Sequence, residues 1–179
     1  PFTHSQCLGQ EVNMATTDLH KYTVVEKLNK MDVDIITVTP TCDTGGTDDN
    51  DVLFDYVEIP NAVAVPGGSA IIQSITVLDK DDVGAAIDLV FADADTDLGT
   101  IDAAVSDDDT GAEGILGYTA ITSYFDGIAW QIGSKNNVGM VVKAVAGSKS
   151  IYVAGVNRNG ASITQTASGI VIKIGIVKD

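Results

Sequence analysis

The last stretch of the chain, ASGIVIKIGIVKD, places isoleucine at every second position: Ile170, Ile172, Ile174 and Ile176. A repeat of two puts alternate side chains on opposite faces of an extended strand. Four β-branched residues on one face therefore demand a strand with one apolar side turned to a core. AIDLVFADAD repeats the signature, with Ile87, Leu89 and Phe91 against Asp88. In DVLFDYVEIP, Val52, Phe54, Tyr56 and Glu58 share one face, and Leu53, Asp55, Val57 and Ile59 share the other. SAIIQSITVLDKDD fills both phases with apolar residues, as a strand buried on both sides would.

Further short strands are expected at Ile115–Ile121 and Gly127–Ser134, around a Tyr-Phe-Asp-Gly turn. NVGMVVKAVAG and SIYVAGVNR flank Gly147-Ser148-Lys149, a hairpin signal. No stretch of ten or more residues keeps a helical period. The expected fold is all-β: a jelly-roll-like β-sandwich of about eight strands spaced by turns. Residues 1–46 read as an N-terminal arm and linker, and 47–179 as the sandwich domain. Within the arm, VVEKLNKM suits a helical turn or two, and DIITVTP a short strand. Met14-Ala15-Thr16 looks like a translational start, which would make the residues before it an extension. One short inserted helix is expected in SDDDTGAEGIL, with Ser106 or Asp107 as its N-cap.

Charge narrows the function. The chain carries a formal net charge of -15 over 179 residues. A phosphate-tracking protein needs a basic stripe, and docking on anionic lipid needs basic clusters, so neither nucleic acid nor membrane is an expected partner. The acids are concentrated: residues 79–113 hold twelve acids and one Lys, whereas 114–179 hold two acids and six bases. The centre of this acidity is FADADTDLGTIDAAVSDDDTGAEG, residues 91–114. Its Asp93, Asp95 and Asp97 alternate as calcium ligands do. An EF-hand loop begun at Asp93 would need Gly at position 6 and Glu at position 12, where Leu98 and Ala104 stand. The three carboxylates remain the candidates for a calcium site of another type. Otherwise the stretch is a solvated acidic loop and helix start.

Catalytic constellations are not apparent. His4 and His20 both sit on the arm, so the core strands lack imidazoles for a metal centre. Cys7 and Cys42 have no His near them in the core, and no Gly-x-Ser-x-Gly elbow occurs. A Cys7–Cys42 disulfide is allowed but is not an expected staple. Trp130 reads as core in a Val/Ile-rich sandwich, with sugar stacking as its alternative. No cofactor and no enzymatic activity are expected.

From Asp51 onward, a succession of phrases resembles a group of tailed-bacteriophage virion structural proteins found among marine phages. These are DVLFDYVEIPNAVAVPGGSAIIQSITVLDKDD, AIDLVFADADTDLGTIDAAVSDDD, EGILGY, KNNVGMVVKAVAGSKSIYVAGVNR and ASGIVIKIGIVKD. The likeness covers about three-quarters of the chain and brings no catalytic residues with it. It implies a non-enzymatic capsid decoration or cement protein, made in the bacterial cytoplasm and placed on the capsid exterior. The implied partners are the major capsid protein and neighbouring copies, with a homotrimer as one arrangement. Val24, Val25, Leu28, Ile35 and Ile36 are then the expected capsid contacts, because an extended arm can add a strand to a neighbour or lie in its groove. Two alternatives stand beside this reading. One is a tail, vertex or fibre-base protein that stacks host glycan on Trp130 and Tyr124. The other is a calcium-dependent adhesion module using Asp93, Asp95 and Asp97.

Overall fold

The computed structural model describes residues 32–178. They form nine strands and one short helix: β1 (Asp32–Val38), β2 (Val52–Ile59), β3 (Ser69–Asp79), β4 (Ile87–Ala92), α1 (Asp109–Ala112), β5 (Ile115–Ile121), β6 (Tyr124–Asp126), β7 (Gln131–Lys143), β8 (Ile151–Asn157) and β9 (Ile170–Lys178). Two antiparallel sheets result, ordered β1-β9-β3-β7-β6 and β2-β8-β4-β5. Setting the three-residue β6 aside leaves two sheets of four whose chain passes repeatedly from one to the other. That is the pair of interlocked Greek keys of a jelly roll.

The core lies between the sheets. Ile170, Ile172, Ile174 and Ile176 are all fully buried, as the period of two requires. Each such side chain contributes roughly 1.5–3 kcal/mol relative to full exposure. They meet Ile72, Ile75 and Val77 of β3 on one side and Leu53, Leu89, Phe91 and Val153 of the facing sheet on the other. Phe54 of β2 lies across from Gly155 of β8, and a Cβ at residue 155 would collide with its ring.

Several expectations are corrected. Asp32–Val38 pairs along its whole length with β9, so the sandwich begins by residue 32 and not at 47. β7 runs unbroken for 13 residues where two strands were expected. Asn137 (φ 56°) and Gly139 (φ 66°) take left-handed backbone inside it, where its pairing with β3 slips between Asn136 and Met140. β7 and β8 are not a hairpin: they belong to different sheets, and Gly147-Ser148-Lys149 lies in the crossover between them. β3 is not buried on both sides. Its pairing slips between Ile72 and Ser74 in both ladders, so the inward phase changes from even to odd positions at Gln73. This bulge explains the apolar residues in both phases while leaving Ile71 exposed.

Candidate interaction surfaces

The acidic stretch leaves β4 at Ala92 and returns as β5 at Ile115. Between them it lies back along β2, where Val52 N–H donates to Ala103 O (2.9 Å) and Asp102 N–H to Val52 O (2.9 Å). Leu98 is its anchor: it is 2% exposed and packs with Val52, Ala154 and Val156, a second apolar cluster separate from the main core. Tyr56 and Val90 flank that cluster. The loop thus covers part of the outer face of the four-stranded sheet with its own apolar residue. Val52 is buried for this reason, whereas Phe54 joins Leu53 in the main core because the pairing of β2 with β8 slips between Val52 and Phe54.

The carboxylates of the stretch serve its backbone. Asp97 Oδ1 accepts from Gly99 N–H (2.9 Å). Asp55 Oδ1, on β2, accepts from Leu98 N–H (3.3 Å). Asp108 caps α1, accepting from Thr110 N–H (2.9 Å) and Gly111 N–H (3.0 Å), one residue beyond the expected Asp107. Asp102 has its carboxyl pushed above the ordinary range, first by desolvation and then by Asp43, Asp51 and Asp48 nearby. Among the described residues no three His, Cys, Asp or Glu side chains are grouped to hold a metal ion, and Asp93, Asp95 and Asp97 do not converge.

Two buried polar side chains escaped sequence reading. Asp79, 1% exposed, accepts from the N–H groups of Asp81 (2.9 Å), Val83 (3.0 Å) and Gly84 (2.7 Å), and from Gln165 Nε2 (3.4 Å). It folds the turn after β3 and ties it to the β8–β9 connection. Asn157 is fully buried at the end of β8, where its Nδ2 donates to the carbonyls of Thr47, Asp48 and Ala161. Both replace water at loop backbone that packing has dried. Their signal was the clustering of Asx and Gly residues in LDKDDVG and VNRNG, which marks side chain-to-backbone turns.

The contact residues expected from sequence separate. Val24, Val25 and Leu28 lie outside the described residues. Ile35 stands exposed on the outer face of the five-stranded sheet. Ile36, 9% exposed, points the opposite way into the core, so it is a packing residue and not a contact. Cys42 is buried, and desolvation pushes its thiol up to about 12, which leaves it a poor nucleophile.

The aromatic pair also separates. Tyr124 packs against the core, its hydroxyl is buried without a partner, and desolvation followed by the charge of Asp79 raises its pKa. Trp130 is not core: it is 38% exposed and tilts against exposed Phe125 with ring centroids 6.0 Å apart. Between them, Ile128 is fully exposed. Phe125, Ile128 and Trp130 make an apolar tip on the β6–β7 turn. Phe125 and Ile128 are the members that sequence reading missed, because the three-residue β6 read as part of a turn and Gly127–Ser134 as one strand.

A second exposed apolar surface runs across the five-stranded sheet. The register aligns Val33, Val177, Ile71 and Val141 in one row over β1, β9, β3 and β7. Val33, Ile71 and Val141 are exposed, with Ile35 two positions along β1. Ile71, Val141 and Val177 share an open depression with Ser69, Ala70 and Lys178. None of the described helices is long and apolar enough to cross a membrane.

No protein-family model matches the chain, and no curated protein matches it. Among solved structures, the K3 cleaved adhesin domain of Lys-gingipain from Porphyromonas gingivalis is 14% identical, over 80% of this chain and 72% of that chain, with a TM-score of 0.33. Desmodium yellow mottle tymovirus is 13% identical over 83% and 81%, with a TM-score of 0.29. The VP2 subviral particle of infectious bursal disease virus is 14% identical over 83% and 41%, with a TM-score of 0.22. Likenesses at these TM-scores carry no functional argument.

Proposed function

We propose that this chain is a non-enzymatic virion structural protein that sits on the capsid exterior as a decoration or cement protein and stabilises the shell. One observation carries the reading most. The strand order is that of a jelly roll, an architecture that recurs in viral shells and lectins. Architecture alone does not set function. The phrases resembling tailed-phage structural proteins, which span this same sandwich, supply the rest. The chemistry-bearing groups that are buried, Asp79, Asn157 and Cys42, are engaged in loop ties or packing.

In this reading the partner is the major capsid protein. Val24, Val25 and Leu28 of the N-terminal segment make the contact, joined by Ile35 at the start of the sandwich. Quantitative mass spectrometry of purified virions tests this. A ratio to the major capsid protein near one, or a simple fraction such as one-third, is the expected result. Absence from virions would overturn the reading.

The exposed tip of Phe125, Ile128 and Trp130 favours a second reading, a tail or vertex protein that binds host glycan. It predicts a few to a few tens of copies per particle, and glycan binding lost in Trp130→Ala with the fold intact.

A further inference from the structure

We propose that the outer face of the five-stranded sheet docks a second copy of this chain, and that the second copy presents the acidic outer face of its four-stranded sheet. The apolar row of Val33, Val177, Ile71 and Val141 spans four strands, and Val141 is 67% exposed. A contiguous apolar surface on a sheet face marks a contact more often than an isolated exposed side chain does.

The contact is through the face and not the edge. β1 is the edge strand on this side, and its Ile35 N–H is taken up by Asp34 Oδ1 at 2.8 Å. That donor is not offered to an added strand, which blunts the edge against pairing.

Charge then selects the occupant. The outward positions of β9 and β7 carry Lys173 and Lys143, whereas Lys178, which also lines the depression, is paired with Asp34 at 3.0 Å. The carboxylates of β1 and β3, Asp32, Asp34 and Asp79, stand in the opposite phase from Val33, Ile35 and Ile71. Two copies meeting through this face on a two-fold axis would set lysine against lysine. The complementary surface is apolar at its centre and acidic around it.

The other side of the same molecule has that chemistry. Val105 and Tyr118, the latter 68% exposed, line a depression with Val90, Leu98, Val156 and Ile115, where Arg158 is paired with Asp88 at 2.9 Å. The loop that forms its wall brings Asp102, Asp107, Asp108 and Asp109 and no Lys or Arg. The two surfaces lie on the outer faces of different sheets, so one copy offers both at once. Such a contact is heterologous, running head to tail until it closes into a ring or extends.

Sedimentation velocity of the full chain across micromolar concentrations, at roughly 50 and 500 mM salt, tests the proposal. The expected result is concentration-dependent association, weaker at high salt. Val141→Asp and Tyr118→Lys should each be monomeric alone, and their equimolar mixture should form dimers and nothing larger, because each supplies the face the other lacks. A monomeric wild type overturns the proposal. So does association that survives both substitutions, or association lost in Val141→Asp but untouched in Tyr118→Lys, which would mean a two-fold contact. Thermal melting confirms that each variant is folded, and Ile71→Asp with Val105→Lys is the substitute pair if either is not.

Discussion

The two sheets carry apolar residues on their outer faces, and the molecule treats them differently. On the four-stranded sheet, Val52, Ala154 and Val156 are covered by Leu98 of the molecule's own acidic loop. On the five-stranded sheet, Val33, Ile71 and Val141 have no such cover from within the described residues. The first face belongs to the folding energy of the molecule, whereas the second contributes little to it. An apolar row is therefore not evidence of a binding surface until the fate of the connecting loops is known.

Leu98→Ala should break this comparison most strongly. Removing the anchor should cost about 2–5 kcal/mol, the range for deleting a buried leucine, and free the loop from β2. Chemical denaturation would measure the loss, and hydrogen exchange at Val52 and Asp102 would show the loop released. Val141→Ala, the matching change on the open face, should stay within about 0.5 kcal/mol of the parent. Equal losses at the two positions would mean that the faces do not differ.

Asn157→Ala should cost about 1–3 kcal/mol, since it leaves loop carbonyls dry and unpaired. Its signature is local: faster exchange in residues 47–50 with β9 protected. Asp108→Ala removes the cap of α1 and should cost about 1 kcal/mol, at the scale of a lost N-cap. Melting temperature would register it, with Leu98 still holding the loop.

The smallest effect is one of pH, and it has opposite signs in the two regions. The hydrogen bond from Lys178, then that from Ile35 N–H, lowers the pKa of Asp34. The stability it contributes is complete above the unfolded value near 3.8 and is lost as pH falls through the lower folded value. Asp102 is raised by desolvation and its carboxylate neighbours, so its ionisation opposes folding and stability rises as pH falls through its folded pKa. At neutral pH Asp34→Asn should therefore melt below the parent and Asp102→Asn above it, and both differences should close as pH falls through the folded values.

Strand content was legible because it rests on alternation, which burial enforces. Ile87, Leu89, Phe91 and the four isoleucines of β9 fell on the inner face as their spacing required. What alternation cannot show is which loop covers the other face. Leu98 is one leucine among seven Asp and one Glu, and only its place over Val156 makes it core. Local backbone likewise overrode local pattern. β7, expected as two strands, holds Asn137 and Gly139 in left-handed backbone without ending. The Gly147-Ser148-Lys149 signal was a real bend whose far side enters another sheet, a tertiary fact absent from any short window.

The anchoring of the acidic loop has a further consequence. Its hold on the sandwich runs through Leu98 and through backbone hydrogen bonds to β2, while Asp95 and Asp109 project to solvent. Substitution at those two positions leaves the attachment untouched. The loop is thus a place where surface charge can drift between lineages, and be retuned to a new salinity or a new neighbour, while the architecture beneath is inherited unchanged.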